Sequence, residues 1–240
     1  AGSKLGEDMD YNEKDLITGE KLLTKLWNAS SFCIMNLKGF DGKKPKKFEV
    51  MDLWLLGKLN GLIKDCIEYF EDYEYSKAKS ELENFFWHTF CDNYLEIVKD
   101  RLYNEAKRGK DGKLSAQFTL YSSLLCILKL FAPILPFITE EVYHRYFKDK
   151  EKEKSIHISQ WPQSEKSFDD KKAIEAGDLL VKTLTEVRQF KAQNKRPLTA
   201  EVSITLDKKD YNLLKDVIED FKAATRAKEI KTGKFNMVFT

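Results

Sequence analysis

"NEKDLITGEKLLTKLWNASSFCIMNL", residues 12–37, decides how the rest of the chain is read. At 3.6 residues per turn Leu16, Leu23, Leu26, Trp27, Ser30, Ile34 and Leu37 recur on one side and predict a core stripe, with Asn12 and Asp15 placed to cap the helix start. The same wheel gathers Lys14, Lys21, Lys25, Asn28 and Phe32 on the side away from that stripe. Phe32 is therefore expected to be exposed among cations and an amide. Those five residues are candidate nucleic-acid contacts. Lysines hold phosphates, an amide reaches a base edge, and a ring can stack under an unpaired base for about 1 to 3 kcal/mol. The competing expectation is that Phe32 packs under the following loop or against the second helix.

Outward from this helix, "KGFDGKKPKKFEV" reads as a loop. A second helix is expected from about Asp52 on Leu53, Leu56, Leu59, Ile63, Cys66 and Phe70, and an aromatic-rich third from about Ser76 on Leu82, Phe85, Phe86, Phe90, Tyr94 and Ile97. "KRGKDGK", residues 107–113, reads as a turn. From Ser115 the chain is mostly apolar, with no run of the ~18 residues a membrane span needs. Pro133 and Pro136 break it, so a new helix should begin near Pro136. "DKEKEK" reads as a solvated loop and "SIHISQWP", residues 155–162, as a short strand or extended segment. Ala173, Leu180, Leu184, Val187 and Phe190 predict a helix over about 169–192.

Beyond Pro197 the period changes. "AEVSITL" alternates, "KKDYNLLKDVIEDFKAAT" is amphipathic, and "AKEIK" and "KFNMVFT" read as short strands around Gly233. The fold class is mainly α: a helical bundle over residues 12–196 with a small C-terminal α/β appendage over 197–240.

Composition narrows the function. The 240 residues are 42% hydrophobic, enough for a core, and 41 Lys and Arg against 39 Asp and Glu leave a net charge of +2. Any polyanion binding must come from placement of charge. Cys33, Cys66, Cys91 and Cys126 are widely spaced with no CxxC pair, which excludes a zinc motif and predicts reduced thiols packed in helices of a cytoplasmic protein. No metal site is expected, and no membrane partner.

Phosphate-cradling glycine loops, HExxH and GxSxG are absent, and of three histidines His88 reads as a core residue. Glu140 and Glu141 read as first-turn acids at the start of the Pro136 helix. No catalytic residue is assigned. "KAQNKRP", residues 191–197, offers Lys191, Lys195 and Arg196 as candidate phosphate contacts, or a solvated helix end.

"GEKLLTKLWNASSF", "SKAKSELENFFWHTFCDNYLEIVK", "LLCILKLFAPILPFITEEVYHRYF", "SIHISQWP" and "VRQFKAQNKRPL" follow one another in an order that resembles the C-terminal region of class I valyl-tRNA synthetases. They resemble the anticodon-binding bundle shared by the valyl, isoleucyl and leucyl enzymes, and the Asn-Ala-Ser-x-Phe run favours the valyl member. The resemblance implies a bundle that grips the anticodon stem and loop of valine tRNA, with A and C at the second and third anticodon positions. Phe32 would carry a base and Lys14 approach the same loop, with Asn28 and Lys25 beside them. It further implies that ATP and magnesium are used by a catalytic domain outside this sequence, that residues 1–11 are the linker from it, and that this piece alone needs no cofactor. Catalytic and editing domains of the longer chain would be partners. Two departures stand out: Ser31 occupies a position where many relatives carry Arg, and the last segments before Thr240 read as short strands, not as the long C-terminal coiled coil of many bacterial members, whether by a compact appendage or by truncation. The same module of an isoleucyl or leucyl enzyme, and a helical protein-interaction scaffold, are the alternative readings.

Overall fold

Asn12 opens the first helix by accepting the Lys14 N–H on its side chain at 3.1 Å, as the sequence predicts for an N-cap. The computed structural model describes Gly6 and residues 12–240, so the expected linker at 1–11 lies, Gly6 apart, outside the described residues. The helices are α1 (Glu13–Asn36), α2 (Val50–Glu71), α3 (Tyr75–Asn84), α4 (Leu95–Tyr103), α5 (Glu105–Phe131), α6 (Pro136–Val142), α7 (Lys148–Glu151) and α8 (Lys171–Gln193). β1 (Val202–Leu206), α9 (Lys208–Leu214), α10 (Ile218–Thr225), β2 (Ala227–Thr232) and β3 (Asn236–Phe239) follow. A π-helical stretch, Phe85–Tyr94, joins α3 to α4, and a shorter one, Tyr143–Phe147, follows α6. Gly109, at φ 79°, kinks α5 inside the expected turn, and Pro136 starts α6 where its missing N–H costs nothing.

These elements form two compact units. The first gathers the described part of Ala1–Lys44 with Leu59–Cys91 and Gln117–Lys166, and the second gathers Pro45–Lys58, Asp92–Ala116 and Ser167–Thr240. The second unit holds both the sheet and helices that precede it.

In the first unit, α1 buries Leu22, Leu26, Ala29, Ser30 and Cys33, and Leu37 is buried just past its end. This corrects the predicted stripe: Leu16 is 60% exposed and Leu23 is exposed, while Trp27 and Ile34 are half-buried. The buried side is turned toward Leu22, Ala29 and Cys33, where small side chains admit a close neighbour. Residues 155–162 form no strand. Ile156–Ile158 is one turn of 3-10 helix, and the Ile156 N–H is taken by Glu140 at 2.9 Å instead of a strand partner. A window of α5 is long and apolar enough to cross a membrane by composition, contrary to the sequence expectation, but 72% of it is buried.

In the second unit, Trp54 lies against Gly177, where an added Cβ would stand 2.2 Å from the indole, so only glycine allows the approach. The Trp54 indole N–H donates to Asp178 at 2.9 Å. The sheet runs β2-β1-β3, with β1 parallel to β2 and antiparallel to β3. Val202, Ile204 and Leu206 face inward from β1, as their alternation predicts.

A buried ion network also lies here. Asp52 accepts both terminal nitrogens of Arg101 at 2.7 Å, the Tyr94 hydroxyl at 2.7 Å and the Ser115 hydroxyl. Arg108 bridges Asp100 at 2.7 Å and Asp220 at 2.6 Å. Arg101 Nε lies 3.3 Å from Asp220 but is not aligned for a hydrogen bond. Burial alone would push the Arg101 guanidinium down, and Asp220 and Asp52 hold it well above its ordinary value.

Candidate nucleic-acid interface

α1 presents the proposed face along its outer side. Lys14, Lys21 and Asn28 are exposed, and Lys25 and Phe32 are half-buried. Phe32 is therefore not the fully exposed ring expected from the wheel. Because the buried stripe is turned toward Cys33, the next residue back stands at its margin, with part of the ring covered. The Phe32 carbonyl accepts the Asn36 side-chain amide at 2.8 Å.

Lys25 is also held. Its ammonium lies 4.9 Å from the centroid of the Trp87 ring, within cation–π range. Trp87 comes from the π-helical stretch, whose Phe86 and Phe90 are buried and stacked on each other at 6.3 Å. Sequence reasoning noted this segment as aromatic-rich but assigned Trp87 no role. Periodicity along one helix carries no signal for which ring meets a lysine on another. His88, expected in the core, is exposed on the same stretch.

The second basic cluster divides. Lys191 is no phosphate contact: it is 1% exposed, and its ammonium donates to the Thr225 carbonyl at 2.7 Å and the Leu198 carbonyl at 2.8 Å. Burial, and then the nearby Arg226, push its pKa down. Its position four residues beyond Val187, continuing the stripe of Leu180, Leu184 and Val187, was the available sign that it points inward. Lys195 and Arg196 are exposed, with the Arg196 guanidinium 5.3 Å from the Phe239 ring and Phe239 stacked on Phe190 at 4.7 Å.

Glu140 and Glu141 are not first-turn acids. Glu140 pairs with His144 at 2.9 Å and Glu141 with Arg145 at 2.6 Å, each one turn ahead. Partial burial pushes the Glu140 carboxyl up, but the Ile156 N–H, the Ser155 hydroxyl, His144 and His157 outweigh it and hold it below the usual range. All four cysteines are buried free thiols. Burial raises Cys33, with Cys91 adding to it, and pushes Cys66 up to about 12, with Asp65 adding to it. Among the described residues no group of three His, Cys, Asp or Glu side chains is gathered to hold a metal ion.

The fold is that of a mainly helical chain with a small mixed sheet, and the sequence assigns it to a family. Residues 52–206 match the model of the anticodon-binding domain of tRNA ligases, and the chain belongs to that family. It is 41% identical over 203 residues to the valine–tRNA ligase of Haloarcula marismortui, covering 84% of this chain and 21% of that protein. It is 34% identical to the valine–tRNA ligase of Pyrococcus furiosus, over 95% of this chain and 26% of the relative. To that of Rickettsia felis it is 35% identical, over 96% and 27%. The chain thus spans about a fifth to a quarter of the length of these relatives.

Proposed function

We propose that this chain binds the anticodon stem and loop of valine tRNA, in a cytoplasmic setting, and so supports ATP-dependent aminoacylation carried out by other parts of a longer valine–tRNA ligase. The observation that carries the reading is the α1 face: Lys14, Lys21 and Asn28 exposed, with Lys25 and Phe32 at its edge, in a member of an anticodon-binding family whose relatives named above are valine enzymes. In this reading Phe32 offers its uncovered part to an anticodon base, Asn28 reaches a base edge, and the three lysines meet phosphates. Lys195 and Arg196 are candidate phosphate contacts of a second patch. Residues 12–196 serve as the anticodon-binding bundle, 197–240 as its appendage and 1–11 as a linker. ATP and magnesium belong, in this reading, to the catalytic part of the longer protein, and no step assigned to this chain runs through them.

The test is a salt titration of a valine anticodon stem-loop against the 240-residue chain. Three phosphate contacts predict a roughly twentyfold or greater loss of affinity between about 50 and 200 mM salt. Lys14→Met and Lys21→Met should each make that dependence shallower. Affinity indifferent to salt and to both lysines would overturn the reading and favour a protein-interaction scaffold.

A further inference from the structure

The three lysines of the α1 face are not equivalent. Lys14 and Lys21 are exposed on the helix, free to follow any nearby phosphate, whereas Lys25 is half-buried with its ammonium set 4.9 Å from the centre of the Trp87 ring. A lysine side chain loses rotamer freedom when a ligand fixes it, and a lysine already oriented has less left to lose. The ring that orients it sits on a helix of unusual form. Ten residues, Phe85–Tyr94, run as π-helix, a geometry that is rare beyond a single turn and frequent at functional sites. In its first part Phe85, Phe86 and Phe90 are buried while Trp87 stays half-exposed and His88 is exposed. The stretch thus anchors itself through its phenylalanines and leaves the indole at the surface beside α1.

We propose that Lys25 and Trp87 form one phosphate-binding subsite of the nucleic-acid face, with Trp87 as the positioning residue that holds the Lys25 ammonium for a backbone phosphate of the RNA. The inference rests on the anticodon-binding reading and adds a second structural element to the interface. Lys14 and Lys21 supply general attraction. Lys25 fixes register, because it presents its charge at a defined place relative to Asn28, three residues on, and to Phe32, seven residues on, along the same helix. An indole face supports such a cation better than a phenyl ring, and an aliphatic side chain does not support it at all.

The experiment measures binding of the anticodon stem-loop to the 240-residue chain and to Lys25→Met, Trp87→Phe, Trp87→Leu and the Lys25→Met/Trp87→Leu double variant. Affinity, the slope of log affinity on log salt, and thermal stability are read for each. Lys25→Met should weaken binding several-fold and make the slope shallower by about one. Trp87→Leu should reproduce most of both changes, Trp87→Phe should recover a large part of them, and the double variant should bind no worse than Lys25→Met alone. A structural role for Trp87 would move the melting temperature without the slope, or would multiply with Lys25→Met in the double variant. Either result would overturn the subsite while leaving salt-dependent binding by the parent chain intact. Salt-independent binding by the parent chain itself would overturn both the subsite and the reading on which it stands.

Discussion

Arg101 in one unit and Lys14 in the other are both helix cations, and their surroundings give them opposite uses. Arg101 is fully buried and meets Asp52 through two bonds at 2.7 Å, with Asp220 beside it. Lys14 stands in solvent on the first turn of α1. A buried charge is costly to desolvate and worse to leave alone, so its partners become obligatory to the fold. An exposed charge contributes little to stability and is available to a ligand. If Lys14 meets RNA as proposed, the chain keeps the two uses apart, and substitutions should separate them by measurement.

The largest effect is expected at Arg101. Arg101→Met leaves Asp52 buried without its cation, and Asp220 with Arg108 alone, and should cost about 3 to 5 kcal/mol of unfolding free energy, read from denaturant midpoints. A loss under 1 kcal/mol would show that the network is not obligatory. Next comes Lys191, a cation that the sequence placed with Lys14 and the structure places with Arg101. Lys191→Met strips two carbonyls of their donor and should cost about 1 to 3 kcal/mol while leaving the salt dependence of RNA binding unchanged. A shallower salt slope without destabilisation would return Lys191 to the RNA face.

A smaller effect is set by pH. Glu140 is held below the usual glutamate value of about 4.3, so its stabilising contribution is complete above that pH and is lost as pH falls through its lower folded pKa. Glu140→Gln should lose less stability than the parent between about pH 5 and pH 3. Identical acid limbs would contradict the assignment. Smallest of all, Lys14→Met and Lys21→Met should shift stability by no more than about 0.5 kcal/mol, whatever they do to RNA binding.

This division also explains what the sequence could and could not reveal. Long periodic segments were legible: α1, α8, the start of α6 at Pro136 and the alternating β1 appear where hydrophobic spacing and caps put them. The buried side of α1 was not. Leu22 and Leu23 are adjacent and each begins a helical stripe, so periodicity alone cannot choose between Leu22-Leu26-Ala29-Cys33 and Leu16-Leu23-Trp27-Ile34. The choice fell to packing, since Ala29 and Cys33 let a neighbour approach where Trp27 and Ile34 would hold it off. That same choice moved Phe32 from open solvent to the margin of the core.

Residues 155–162 failed for a related reason. Alternation predicts a strand only where a partner strand exists, and here Glu140 takes the Ile156 N–H. The candidate site was half legible. Residue types and their shared face were readable, whereas the ring over Lys25 and the inward turn of Lys191 depend on contacts between distant segments.

Whether the margin of α1 reads an anticodon, as proposed, is decided by a competition between valine and isoleucine anticodon stem-loops for the 240-residue chain and for Phe32→Ala. The parent chain should prefer the valine loop, and Phe32→Ala should lose about 1 kcal/mol or more of its affinity while remaining folded. Equal binding of both loops, unchanged by the loss of Phe32, would contradict the proposal.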